Sequence, residues 1–158
     1  MSVEVCWLQF GFVGAMPLVS PGGAAVAKAK FLELRVYRLA EELVDAVYEV
    51  VLPWDRLDRN TVGEQLIRAI DSVGANIAEG YGRGSFADNR RFVRIARGSL
   101  NETQHWLRRA YRRNLLTEEQ TARLKPLLDE LAPKLNAYLK SIGRSAKSTD
   151  PKSPPPKG

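Results

Sequence analysis

Cysteine and histidine are almost missing from this chain: Cys6 and His105 are single occurrences in 158 residues. One thiol closes no disulfide, and one imidazole with one distant thiol supplies neither a zinc ligand set nor a Cys/His nucleophile pair. Apolar runs are short as well. None approaches the roughly 20 residues of a membrane-crossing helix, so no membrane is expected as a partner and the chain reads as cytoplasmic. From Lys30 onward there is no alternating run rich in Val, Ile or Thr, which removes the sheet as an organising element. The glycines of "GYGRGS", Gly80 to Ser85, lack the contexts that make glycine loops hold nucleotides. No strand precedes them, and no Lys-Ser or Lys-Thr pair follows. With no metal set, no nucleophile constellation and no phosphate loop, neither a cofactor nor a catalytic residue is expected, and a hydrolase or transferase has nothing to work with.

What is present is positive charge and helical periodicity. There are 24 Lys and Arg against 18 Asp and Glu, a net charge of +6, which favours nucleic acid, an anionic surface or an acidic protein as partner. A hydrophobic content of 44% over this length supports one domain with a core of its own. We divide the chain into residues 1–29, an extension; 30–143, the folded domain; and 144–158, a tail. The first segment is apolar, and Ala25 to Ala27 imitate a signal-peptidase site, but Glu4 stands where a basic start is needed. It reads as a flexible extension or an over-long start, with Met16 as a later one. The tail, "RSAKSTDPKSPPPKG", has nothing to bury and reads as disordered.

Between them the apolar period is near 3.6. The first helix carries Leu32, Val36, Leu39, Leu43, Val47 and Val50 on one stripe and stops at Pro53. "WDRLDRN", from Trp54 to Asn60, reads as a connecting loop. The second helix opens at Asn60 or Thr61, with Thr61 and Glu64 at capping-box spacing, and buries Val62, Leu66, Ala69, Ile70, Val73 and Ile77. Gly80 is placed as its left-handed C-terminal cap, with Gly82 and Gly84 reversing the chain. The third helix starts at the Ser85 cap, with Asp88 in its first turn, and runs to about Arg113. The fourth begins at Thr117 and Gln120, another capping-box pair, and ends before Gly143. Pro126 and Pro133 fall inside it, which predicts a kink or break. Four amphipathic helices on short connections predict an all-α, antiparallel up-down-up-down four-helix bundle. Gln65, Ser72 and Asn76, at the edge of the second stripe, are expected to fix register within it or to meet another subunit.

The third helix holds the arginines: Arg90, Arg91, Arg94, Arg97, Arg108, Arg109, Arg112 and Arg113, with Arg83 just before and no lysine among them. At about 100° per residue, Arg90, Arg94, Arg97, Asn101, His105, Arg108 and Arg112 share a sector of roughly 80°. Phe92, Ala96, Ser99, Thr103, Leu107 and Ala110 fall opposite, with Trp106 close by. Two readings of this ridge stand side by side. It is a solvated face whose arginines pair with carboxylates on neighbouring helices, or a track for a nucleic-acid backbone, which the planar guanidinium suits. His105 is an exposed histidine or one more donor on the ridge. Tyr111, Trp106 and Trp54 are packing residues, Tyr111 being placed to stack on a base.

The stretch from Asn76 to Ser85 ("NIAEGYGRGS") together with Phe92, Ile95, Ala96, Gly98, Ser99, Leu100 and Glu102 resembles a bacterial four-helix-bundle protein family. That family includes proteins encoded by intervening sequences of large-subunit ribosomal RNA genes, and among its relatives is the accessory variability protein of diversity-generating retroelements. "FLELRVY" from Phe31 and "QLIRAIDSVGANI" from Gln65 support the match, which spans Phe31 to Ile142. The resemblance implies a ring-like homopentamer without catalytic activity and, for the retroelement relatives, a basic ring that binds nucleic acid and a reverse transcriptase. The expected function is therefore a non-enzymatic, oligomeric accessory protein contacting RNA or DNA phosphates. The alternative is a protein-interaction scaffold whose basic face docks a polymerase or another acidic protein.

Overall fold

The computed structural model describes residues 30–145, with side chains to Ile142. The expectations for residues 1–29 and 146–158, the signal-like segment included, lie outside the described residues. A 3-10 turn, Lys30–Glu33, leads into α1, Arg35–Val51. The Phe31 ring stands edge-on to Tyr37 at 5.0 Å and joins the turn to the helix. The buried face of α1 contains Val36, Leu39, Leu43, Val47 and Val50, as the period predicts, with Ala40, Ala46 and Val51 beside them. Leu32 is only half-buried, because the tighter 3-10 turn takes it off the α-helical stripe.

Of the stretch after Pro53, only Trp54 and Asp55 are loop. Asp55 has extended backbone angles, and its side chain accepts the Asp58 N–H at 2.8 Å, capping a short helix, α2, Arg56–Asp58. A wide π turn, Arg59–Gly63, continues without interruption into α3, Glu64–Gly82. Thr61 therefore sits inside helical structure, and its hydroxyl donates to the Leu57 carbonyl at 2.8 Å instead of capping. The capping-box pattern at Thr61 was outcompeted by an acceptor six positions earlier that already had the right backbone.

Gly80 is also not the left-handed cap. It is a buried residue within α3. The residue with positive φ is Gly84, at +72°, and it delivers the chain to Ser85. Ser85 accepts the Asp88 N–H at 3.0 Å and donates to the Asp88 carboxylate at 2.9 Å, which opens α4, Phe86–Arg112. α4 ends on Asn114, whose φ is 57°. Leu115 N–H reaches the Ala110 carbonyl and Asn114 N–H the Tyr111 carbonyl, both at 3.0 Å, a Schellman closure made with asparagine in place of glycine. Thr117 and Gln120 form the reciprocal box predicted for them, at 3.1 and 2.9 Å, and open α5, Glu118–Ser145.

Pro126 and Pro133 do not break α5, which runs through both and past Gly143. Each proline frees the carbonyl four residues back, on Ala122 and Asp129, and all four residues are exposed, where an unpaired carbonyl costs less than in the core. The opposite face, Leu124, Leu131, Leu135, Leu139 and Ile142, is buried and holds the helix to the bundle.

The four long helices close a ring in which α1 packs on α3 and α5, and α4 packs on α3 and α5. Successive neighbours are antiparallel; Ser72 faces Ser99 while Gly80 faces Phe92. The tightest seam is α3 against α4, where small residues let the backbones approach. Asn76 donates to the Ser72 carbonyl at 2.7 Å and to its hydroxyl at 3.0 Å, and the hydroxyls of Ser72 and Ser99 share a hydrogen bond of 3.0 Å. These polar groups set register inside one bundle, one of the two roles their spacing allows.

Candidate nucleic-acid interface

α4 sits at the corner of the bundle diagonal to α1, so one face is locked into the core and the other is open. Val93, Ala96, Ser99, Leu100, Thr103, Leu107 and Ala110 are buried. Phe92, assigned to that face from its spacing, is half-buried at its margin, and Val93 and Leu100 complete the stripe. On the open side, Arg91, Arg94, Arg97, Arg108, Arg109 and Arg112 are exposed and Arg90 is half-buried. Arg113 is the C-terminal capping residue, with its side chain exposed.

Arg83 stands apart. It lies at the end of α3, is ion-paired with Glu79, and has its guanidinium 5.1 Å from the centre of the Phe92 ring. Its charge is already engaged in fastening the turn between α3 and α4.

The other eight arginines, from Arg90 to Arg113, make no ion pair and no side-chain hydrogen bond among the described residues; the pairs formed are Arg35 with Glu130, Glu79 with Arg83, Glu49 with Arg123, and Lys125 with Asp129. The carboxylates that would have neutralised the ridge are elsewhere. Glu41, Asp45 and Asp71 gather with Tyr37 along the groove between α1 and α3. Burial, aided by the adjacent Glu41 carboxylate, pushes the Tyr37 hydroxyl up to about 12, and burial raises the Asp71 carboxyl as well. Glu102, the one acid in the middle of α4, accepts from the Trp106 indole at 3.4 Å.

His105 is exposed on the ridge, its ring edge-on to Trp106 at 5.1 Å. Among the described residues, no carboxylate or hydroxyl hydrogen-bonds to it. Gln104 was not part of the predicted ridge, yet it is exposed and follows the series Arg97, Asn101, Gln104, Arg108. It falls about 20° outside the predicted sector, on the margin beside Arg97. Phe86 and Tyr111, 53% and 57% exposed, lie near the two ends of α4 beside the ridge. Among the described residues, no three His, Cys, Asp or Glu side chains come together as a metal site, and no helix is long and apolar enough to cross a membrane.

Comparison with known proteins places this geometry in a family. Residues 32–137 match the family model of the 23S rRNA-intervening sequence protein. Among solved structures, the chain is similar to a protein of unknown function from the S23 ribosomal protein family of Bacteroides thetaiotaomicron VPI-5482. The two are 25% identical with a TM-score of 0.59, over 66% of this chain and 95% of that one. The comparison with curated proteins returns no match. The matched span takes in α1, α3 and α4 whole and α5 to Asn136 and Ala137, so the capped, arginine-faced bundle belongs to the 23S rRNA-intervening sequence protein family.

Proposed function

We propose that this protein is a non-enzymatic, homo-oligomeric accessory protein that binds nucleic acid through phosphate contacts along α4. The observation that carries this reading is that, among the described residues, eight neighbouring arginines form no ion pair. Like charges three or four residues apart on a helix, such as Arg90 with Arg94 or Arg108 with Arg112, destabilise it by about 0.2–0.5 kcal/mol per pair. A row of phosphates removes that repulsion and gains the entropy of released counterions. Arg90, Arg94, Arg97, Arg108 and Arg112 make the contacts, with Arg91, Arg109, Arg113 and His105 assisting from the margins. Arg83, committed to Glu79 and Phe92, contributes field more than contact. Backbone contacts of this type fix position and carry little base preference.

Assembly multiplies the effect, since each subunit of a symmetric oligomer repeats the ridge. The resemblance to retroelement accessory proteins makes a five-subunit ring the arrangement to look for and a reverse transcriptase the protein partner to test. The decisive experiment is binding to labelled RNA and DNA across a salt series, with the double variant Arg94→Glu, Arg108→Glu beside the parent. The expected result is affinity that falls steeply with salt and is abolished by the reversal, with gel-filtration mass unchanged. Feeble binding that ignores the reversal would overturn the proposal in favour of a protein-docking face.

A further inference from the structure

The arginines of α4 are not evenly spread. Arg90, Arg91, Arg94 and Arg97 form one group, Arg108, Arg109, Arg112 and Arg113 a second, and no Lys or Arg lies between. The ten residues separating them, Gly98 to Leu107, present Asn101, Gln104 and His105 to solvent on the same outward face. From Arg97 to Arg108 is eleven residues of helix, on the order of 16 Å at 1.5 Å per residue. α4 is one uninterrupted helix across this gap, anchored by a buried stripe of Ala96, Ser99, Leu100, Thr103 and Leu107.

We infer that α4 bridges the two phosphate walls of a double-stranded nucleic acid, one arginine group on each wall, with Asn101, Gln104 and His105 over the groove between. The inference rests on the reading of α4 as a phosphate-contacting surface and adds which form of nucleic acid it takes.

Spacing argues for a duplex. A groove about 12 Å wide, such as the major groove of B-form DNA, sets its walls at a separation that the roughly 16 Å gap straddles, with arginine side chains on both sides reaching inward. A narrow groove of about 6 Å would leave one group beyond its wall. A single strand is bound by a continuous cationic track that follows one backbone, interleaved with aromatic side chains on which bases stack. The middle of α4 has neither. It carries no cation on its outward face, and Trp106, its one large aromatic, is half-buried with its indole on Glu102. The exposed aromatics Phe86 and Tyr111 lie at the ends of the helix, outside the gap. What the middle does offer is amide and imidazole groups, which hydrogen-bond to base edges or to 2′-hydroxyls.

The test uses the full chain and four labelled probes of one sequence: a duplex of about 20 base pairs in DNA and in RNA form, and the corresponding single strands. Two variants, Arg90→Gln, Arg91→Gln, Arg94→Gln, Arg97→Gln together and Arg108→Gln, Arg109→Gln, Arg112→Gln, Arg113→Gln together, remove one group each; Arg90 is half-buried and the other seven positions are solvent-exposed, so the fold is kept and is checked by circular dichroism. The expected result is at least tenfold tighter binding of one duplex than of its single strand. Each variant alone should bring duplex affinity down to the single-strand level, because one remaining group touches only one wall. Single strands bound as tightly as duplexes, or a duplex preference that survives loss of either group, would overturn the inference while leaving phosphate binding by α4 intact. Absence of binding to all four probes removes the underlying reading too. A preference between the DNA and RNA duplexes then reports which groove is spanned.

Discussion

Gly80 of α3 lies against Phe92 of α4 so closely that a Cβ on the glycine would stand 2.8 Å from the Phe92 Cβ and 3.1 Å from Asn89 Oδ1. The missing side chain is what lets the two helices meet. The contact involves the first carbon of Phe92, which cannot swing aside, so relief requires the backbones to part. Gly80→Ala is expected to destabilise the fold by about 1–2 kcal/mol, overpacking outweighing the gain in helix propensity. Gly98→Ala provides the opposite case. Gly98 is exposed in mid-α4, with nothing within 4 Å of an added Cβ, and the substitution should stabilise by about 0.8 kcal/mol. Urea melts of both variants check the pair; equal shifts of the same sign would show that the seam is not tight.

The start of the second long helical segment is decided by Asp55, not Thr61. Asp55→Ala removes the acceptor for Asp58 N–H and is expected to cost about 1 kcal/mol. Thr61→Ala loses only a hydroxyl bonded back to the Leu57 carbonyl and should cost less than about 0.5 kcal/mol. Thermal unfolding ranks the two, and the reverse order would restore the cap at Thr61.

Arg83 and Arg94 are both exposed arginines of the same stretch but differ in what they already hold. Arg94→Gln is expected to lower the slope of log affinity against log salt by about 1 for nucleic acid. Arg83→Gln should change that slope much less, while costing a little stability through its lost contacts with Glu79 and Phe92. A titration in which Arg83→Gln has the larger effect would move the contact surface towards the turn between α3 and α4.

Asp71 in the α1/α3 groove has its carboxyl raised by burial. A carboxyl whose folded pKa is raised binds its proton more readily in the folded state. The folded state is thus penalised as pH rises from the unfolded pKa through the folded one, and the penalty persists above it. Asp71→Asn removes the penalty and should stabilise at neutral pH, by no more than about 0.5 kcal/mol since the side chain is largely exposed and solvent screens it. The gain should vanish once pH falls below the ordinary carboxylate range. Denaturant midpoints at neutral and acidic pH check this; a gain that persists in acid would point to a cause other than ionisation.

Much of this protein follows from local sequence alone. The 3.6 period of the apolar residues specifies four helices and their buried faces, and Ser85 with Asp88 and Thr117 with Gln120 specify two of their starts, because these signals act within one or two turns of chain. The position of the arginine ridge follows from the same arithmetic. Tertiary structure decided the rest. Gly80 is not a cap because a neighbouring helix needs its empty side, and that neighbour is invisible in the local pattern. Pro126 and Pro133 do not break α5 because the carbonyls they free belong to exposed residues and the opposite stripe is anchored on the other helices. Asn114 ends α4 in a conformation usually given to glycine, closed by hydrogen bonds that only the folded turn reveals. Above all, a count of charges along the chain places the arginines but not the acids relative to them. Packing put Glu41, Asp45 and Asp71 in the groove between α1 and α3, and the ridge forms no ion pair among the described residues.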